Sequence, residues 1–398
     1  MTYHLSALSY ELSTMSYHLS PIKIQQIQPV DTHAWDAYVR SHPRATLYHL
    51  CGWKDIIEKT YGHRTYYLIA TEDKPELMAR NDKKAKGDEL HANPVVGILP
   101  LVHIKHFIFG NSLISMPFLD YGGILADDQD TEKALLLYAT KLGQELGASR
   151  IELRHIKPLP SINEINSINP TDSSNSLTYV TNSKKVRMLL ELPESSDVLM
   201  ESFRSKLRSQ IKKPLKEGLY AKVGGLELLD DFYSVFSTNM RDLGSPVHSK
   251  KLMLNILMEL QESRIVTIYK DAQPLAASMV IGFKDTLKNP WASSLRGYSK
   301  LSPNMLLYWA MLEYACNSGF KYFDFGRSSP EEGTYKFKEQ WGGEQVALNW
   351  HYISLDGQPI DPETWGKSKF EKAIKLWKKL PIPITTTIGP RIRKYIGL

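Results

Sequence analysis

The chain has 398 residues, 42% of them apolar, with 49 Lys and Arg against 43 Asp and Glu for a net charge of +6. That composition supplies cores for two or three domains and excludes a disordered or collagen-like chain, while the charge is too slight for a dedicated duplex-DNA binder. Cys51 and Cys316 are far apart and outside any CxxC spacing, which excludes a disulfide framework and a zinc ribbon and points to a reducing, cytoplasmic setting. The longest apolar run, near 95–104, is broken by Gly97, Pro100 and His103, far short of the roughly 20 residues of a membrane span.

Residues 1–20 lack the basic start and apolar centre of a secretory signal. They repeat Tyr3-His4-Leu5-Ser6, Tyr10-Glu11-Leu12-Ser13 and Tyr17-His18-Leu19-Ser20, and are expected to be a disordered leader, or a start placed too early with Met15 nearer the true one. A first globular unit is expected over 21–156. It opens with a strand-like segment at Ile22, Ile24 and Ile27, and Trp35, Tyr38 and Val39 follow at helical spacing. A helix is predicted over 52–61 and strands over 65–70 and 95–104, joined by an exposed hairpin loop over 71–94. Leu135, Tyr138, Ala139, Leu142 and Leu146 then define a helix stopped by Gly147, with a strand at 150–154.

The Ser-, Asn- and Pro-rich segment 157–185 has no periodicity and is expected to be a linker or insertion. A second unit is expected over 186–355. Its strands at 264–269 and 275–283 form a hairpin. Ser302-Pro303 supplies an N-cap and first-turn proline for a helix ending at Gly319, and a strand follows at 322–325. In both halves an acid, Glu152 or Asp324, lies five residues after the terminating glycine. An internal duplication of a mixed α/β unit is therefore expected. Residues 356–398 form a basic tail.

The chain contains no GxGxxG, GxSxG or HExxH, and Gly366-Lys367-Ser368 lacks the upstream glycine of a phosphate-binding loop. His103 and His106 fall on opposite faces of a strand without acidic or sulfur companions, so no metal site is expected. The most informative stretch is Asp324-Phe325-Gly326-Arg327, a short loop, Tyr335-Lys336-Phe337-Lys338 and Trp341-Gly342. This arrangement resembles the C-terminal half of the FemAB-like proteins, aminoacyl or peptidyl transferases built from two tandem GNAT-fold units. The basic segment from Phe203 to Gly218, Met240-Arg241-Asp242-Leu243-Gly244 and Tyr121-Gly122-Gly123 also match. The whole looks closest to the FemAB-like subgroup associated with exosortase and PEP-CTERM systems.

The resemblance implies an α/β fold of two GNAT-like units with mixed central sheets flanked by helices. It also implies transfer of an aminoacyl or acyl group, from aminoacyl-tRNA or acyl-CoA, to a polysaccharide or peptidoglycan-type cell-envelope precursor, with no metal or organic cofactor. Lys338 takes the catalytic place, where a cation would stabilise the tetrahedral oxyanion; taken alone it reads as a surface lysine. Asp324 is the second catalytic candidate, able to orient the donor or take a proton, or else to pair with Arg327. Arg241 resembles a phosphate-binding arginine of the family. Phe337, Tyr335, Trp341, Arg327, Tyr298, Asp120 and Tyr121 are candidates for lining the substrate cleft, and Arg208, Lys212 and Lys216 for following an RNA backbone or equally for a solvated helix face. The family's N-terminal phosphate-binding lysine has no counterpart, and the GNAT pyrophosphate loop is missing. The basic tail is expected either to rest on the inner face of an anionic membrane or to pack as a helix on the second unit with its lysines in water. A catalytically silent scaffold of exopolysaccharide machinery is the alternative function.

Overall fold

The computed structural model describes residues 22–72, 93–164, 177–330, 332–361 and 371–397. The expected leader, most of the expected 71–94 loop and part of the 157–185 linker lie outside them. The first half runs through β1 (Ile22–Gln26), α1 (Thr32–Ser41), α2 (Gly52–Tyr61), β2 (Arg64–Glu72), β3 (Val95–His106), β4 (Gly110–Ser115), β5 (Leu125–Ala126), α3 (Gln129–Glu145), β6 (Arg150–His155) and β7 (Thr178–Asn182). The second half comprises β8 (Val186–Glu191), α4 (Ser196–Ser202), α5 (Ser205–Lys216), β9 (Leu219–Gly224), α6 (Leu229–Leu243), α7 (Lys250–Glu259), β10 (Ser263–Lys270), β11 (Gln273–Phe283), β12 (Thr286–Ser294), α8 (Pro303–Asn317), β13 (Tyr322–Ser328), α9 (Gly333–Glu339), β14 (Glu344–Ala347) and β15 (Asn349–Ser354). Helices α10 (Glu371–Trp377) and α11 (Ile382–Arg393) complete the chain.

Two mixed sheets result, as the duplication predicted. The first has the order β1-β2-β3-β4-β6-β15-β7, with β5 on β3, and the second the order β14-β8-β13-β12-β11-β10-β9. Each holds a helix–glycine–strand crossover: α3 and Gly147 lead into β6, which runs parallel to β4, and α8 and Gly319 lead into β13, parallel to β12. Gly147 and Gly319 have φ of 61° and 77°, the left-handed geometry that ends a helix cheaply only at glycine. Helix α3 buries Leu135, Leu136, Ala139 and Leu142 on its sheet. Helix α8 is apolar nearly all round and buries Leu306, Leu307, Ala310, Met311 and Leu312, each leucine stabilising the fold by about 1.5–3 kcal/mol.

Two details differ from the sequence-based expectations. Strand β15, placed in the second unit by its position in the chain, is hydrogen-bonded between β6 and β7 of the first sheet. The polypeptide thus returns to complete the sheet that it left, and the end of the expected linker supplies β7. Ser302 occupies the start of α8 but its side chain makes no capping bond, because its backbone is left-handed at φ 56°. No helix among the described residues is long and apolar enough to cross a membrane.

Candidate functional site

Parallel strands β12 and β13 pair only over Thr286–Lys288 and Tyr322–Asp324. Beyond that point they fork, and a cleft of about 790 Å³ opens between them. Its walls include Asn289, Pro290 and Ala292 to Leu295 of β12 and its end, Phe325 to Ser328 of β13, residues of the 296–304 turn into α8, and Thr334, Phe337 and Lys338 of α9. Gly326 lies in the fork with φ 78°, and a Cβ there would stand 2.9 Å from the Asn289 carbonyl oxygen. Only glycine allows both the dihedral and the close approach.

Lys338 is 8% exposed and opens on this cleft. Its ammonium donates to the carbonyls of Gly326 (3.1 Å) and Arg327 (2.9 Å). Burial lowers its pKa to about 8 despite the opposing attraction of Asp120, so near neutral pH it is a largely desolvated cation. This is the arrangement that can meet developing negative charge on a reacting carbonyl. The surface-lysine alternative for Lys338 therefore does not hold.

Asp324 has a different place from the one expected of a base. It is fully buried, and its Oδ2 accepts from Tyr121 Oη (2.8 Å), Lys288 Nζ (3.2 Å) and Arg187 Nη1 (3.4 Å), while Oδ1 accepts from the Gly326 amide (2.8 Å). Burial alone would raise its pKa, but Lys288 and Arg187 outweigh it and hold the carboxylate below its ordinary range. A fully occupied carboxylate with a depressed pKa is a poor proton acceptor. Its partners are Lys288 and Arg187 rather than Arg327. Asp324 positions the fork instead of reacting in it, because it ties the base of the fork to Tyr121 of the first unit.

Asp120 reaches the same cluster from that unit. Its Oδ2 lies 3.0 Å from Lys288 Nζ and its Oδ1 3.7 Å from Arg327 Nε. Burial opposes ionisation, yet Lys288 and Arg327 pull its pKa down to about 2. Arg327 lines the cleft and stands 4.9 Å from the ring centre of Trp350 on β15, whose indole N–H donates to the Asp120 carbonyl. The returning strand thus braces one wall of the cleft. Phe337 also lines it, edge-on to Tyr308 at 4.8 Å.

The other expected residues lie elsewhere. Trp341 is 1% exposed in the core against Phe203 and Tyr308, so it supports the wall without forming a channel. Tyr335 donates to Gln345 Oε1, Tyr298 to Gln273 Oε1, and neither lines the cleft. Arg241 bonds Asp242 Oδ1 at 2.6 Å and the Leu380 carbonyl at 3.2 Å, turned toward the tail; from its helix it is Asn239 and Leu243 that line the cleft. Arg208 donates to the carbonyls of Glu201 and Phe203 at the end of α4, while Lys212 and Lys216 are exposed.

Sequence reasoning missed Lys288 and Arg187, the cations that hold Asp324. Lys288 is 2% exposed and its ring neighbours are Tyr121 and Tyr48. A lysine between Leu287 and Asn289 in an otherwise buried strand is the signal that could have found it. Among the described residues no group of three or more His, Cys, Asp or Glu is arranged to hold a metal.

Residues 201–339 match the family model described as an acetyltransferase (GNAT) domain. No curated protein matches the sequence. Among solved structures, FemX is similar at 14% identity and a TM-score of 0.58, over 82% of this chain and 96% of that one. A tandem GNAT protein from the clavulanic acid biosynthesis pathway aligns at 11% identity and a TM-score of 0.49, over 86% and 100%. The C-terminal domain of a putative lysylphosphatidylglycerol synthetase from Agrobacterium fabrum aligns at 11% identity and 0.46, over 66% and 81%. The FemX likeness spans both sheets and the match to a GNAT domain falls on the half that holds the open cleft, so this chain has a two-unit fold similar to that of FemX.

Proposed function

We propose that the chain is a GNAT-type transferase that moves an aminoacyl or acyl group from an activated donor, with aminoacyl-tRNA favoured, to an amino or hydroxyl group of a cell-envelope or exopolysaccharide precursor. The observation that carries this is Lys338, a buried cation held by two backbone carbonyls in the wall of an open fork. Attack of the acceptor on the donor's carbonyl carbon forms a tetrahedral oxyanion; its collapse releases the tRNA hydroxyl or the CoA thiol and leaves a new amide or ester. Lys338 would lie beside that oxyanion. The N-terminal end of α8, with Arg296, Ser299 and Asn304 on the cleft rim, offers a dipole and polar groups to a donor phosphate.

A tRNA donor is favoured by the 296–301 turn, which has Arg-Gly-Tyr-Ser-Lys-Leu in place of a glycine-rich pyrophosphate loop. Support also comes from Lys213, whose ammonium donates to the Lys300 carbonyl at 2.9 Å and sets the basic helix α5 against the cleft rim. The acceptor class rests on the FemAB-like resemblance. The test mixes the purified chain with charged tRNAs, acyl-CoAs and an envelope-precursor extract, and follows donor loss by mass spectrometry. Lys338→Ala should slow donor consumption about 100-fold or more at unchanged fold. Equal transfer by wild type and variant removes Lys338 from the mechanism, and no consumption by either leaves the scaffold reading.

A further inference from the structure

Residues 371–397 carry seven Lys and Arg against the single acid Glu371, a surplus equal to the net charge of the whole chain. The rest of the sequence is balanced, so the charge asymmetry belongs to residues 371–397, in α10, α11 and the residues that join and follow them. Lys372, Lys375, Lys378, Lys379 and Arg391 are exposed. Arg393 instead turns inward and donates to His248 Nε2 at 3.0 Å. Helix α11 is firmly seated: Thr385 and Gly389 are its buried face, and a Cβ on Gly389 would stand 3.1 Å from the Val247 nitrogen.

The flank of α11 away from this contact carries Ile384, Ile388 and Arg391 at helical spacing, both isoleucines exposed. Tyr395 continues the row just past the helix, and its ring packs 4.3 Å from that of His106 and 6.4 Å from that of Phe109. The row therefore runs onto the tip of the β3–β4 hairpin. There Phe107 is 91% and Ile108 62% exposed, next to the exposed Lys105. Lys394 stands 4.8 Å from the Tyr395 ring centre. Large apolar side chains as far into water as Phe107 and Ile108, beside exposed cations, mark an interaction surface.

We propose that the hairpin tip and the flank of α11, with the exposed cations of residues 372–391, dock on an anionic phospholipid bilayer. Phe107 and Ile108 enter the boundary between headgroups and acyl chains while the lysines and Arg391 meet the lipid phosphates. The aliphatic residues decide among partners of opposite charge: an RNA strand rewards cations and aromatic faces but gains nothing from Ile108, Ile384 and Ile388. A second copy of the chain would bring the same positive charge to the interface. This inference does not depend on the transferase reading.

The full chain should co-float with vesicles of phosphatidylcholine and phosphatidylglycerol, but not with phosphatidylcholine alone, and binding should weaken as salt rises. Phe107→Ser with Ile108→Ser should lower partitioning about tenfold or more at nearly unchanged thermal midpoint, since both side chains stand mostly in water and Phe107 packs only on the neighbouring His106 ring. Lys372→Glu with Lys375→Glu and Lys379→Glu should lower it about 100-fold. Absence of binding to the anionic vesicles overturns the proposal. So does binding that survives the hairpin substitutions, and so does tail-dependent capture of tRNA by a protein that ignores the vesicles.

Discussion

The two forks of the molecule are built alike and filled differently. In the first, β4 and β6 pair in parallel with Leu113 opposite Ile151 and Ile114 opposite Glu152. In the second, Leu287 lies opposite Phe323 and Lys288 opposite Asp324. Glu152 and Asp324 therefore hold equivalent positions, as do Ile114 and Lys288, and two residues on Arg154 stands where the second fork has Gly326. The Arg154 guanidinium fills its fork. It pairs with Glu152 at 2.6 Å, donates to the carbonyls of Leu119 (2.5 Å) and Gly397 (2.8 Å), and packs 4.2 Å from the Trp350 ring centre. The Gly397 carbonyl also accepts from the Phe118 amide at 2.7 Å, so the C-terminal residues close what remains. At Gly326 no side chain enters, and the fork stays open to Lys338. The residue two positions after the strand's acid is thus a buried guanidinium in one fork and a glycine in the other, where the charged cleft stays open.

Substitution of Lys288 by the residue of its counterpart position attacks this difference most directly. Lys288→Ile leaves Asp324 buried with Arg187 as its remaining cation and leaves Asp120 with Arg327, and should destabilise the fold by about 3–5 kcal/mol in denaturant unfolding. The double variant with Asp324→Asn should recover part of that loss by removing the uncompensated charge. A Lys288→Ile chain as stable as wild type would mean that the ion cluster is not what holds the second fork.

The pH dependence separates the catalytic role proposed for Lys338 from its contribution to stability. Its folded pKa is lowered to about 8 from an ordinary lysine value near 10.4. Below the folded value both folded and unfolded chains carry the proton; between the two values the unfolded chain binds more. The contribution of Lys338 to stability therefore rises as pH climbs through that window. Transfer should move the opposite way and fall as pH passes about 8, where the cation is lost. An activity profile that is flat through that region, or identical in Lys338→Ala, would detach the lysine from the chemistry.

Arg241→Ala should have the smallest effect. The Arg241–Asp242 pair is partly exposed, and such pairs contribute about 0–1 kcal/mol. With the guanidinium facing Leu380, transfer at saturating acceptor should stay within about twofold of wild type. A large rise in KM would restore the acceptor-binding role that the resemblance implies and would require the tail contact to open.

Much of the repeat was legible because it is written locally. Apolar residues at helical spacing, a glycine whose left-handed φ ends the helix, and a strand with its acid five residues later describe both crossovers without reference to the rest of the chain. The proposed role of Lys338 came only through the resemblance. The neighbourhood of Asp324 was not legible, since Arg187, Lys288 and Tyr121 come from three separate strands or loops and meet only through strand register. Trp341 and Tyr335 look like ligand contacts in sequence because aromatic residues serve walls and cores equally well.

By itself the sequence determined the two helix–glycine–strand crossovers, the strands beside them and the positions of the two strand acids, since helix and strand periodicity, glycine dihedrals and chain punctuation act over a few residues. Only the tertiary structure decided which fork is open, which cations hold Asp324, and that β15 crosses back to brace both forks through Trp350. Those outcomes depend on desolvation and on which charges and backbone groups are brought within a few ångströms, and residues more than a hundred positions apart acquire that proximity only when the sheets assemble.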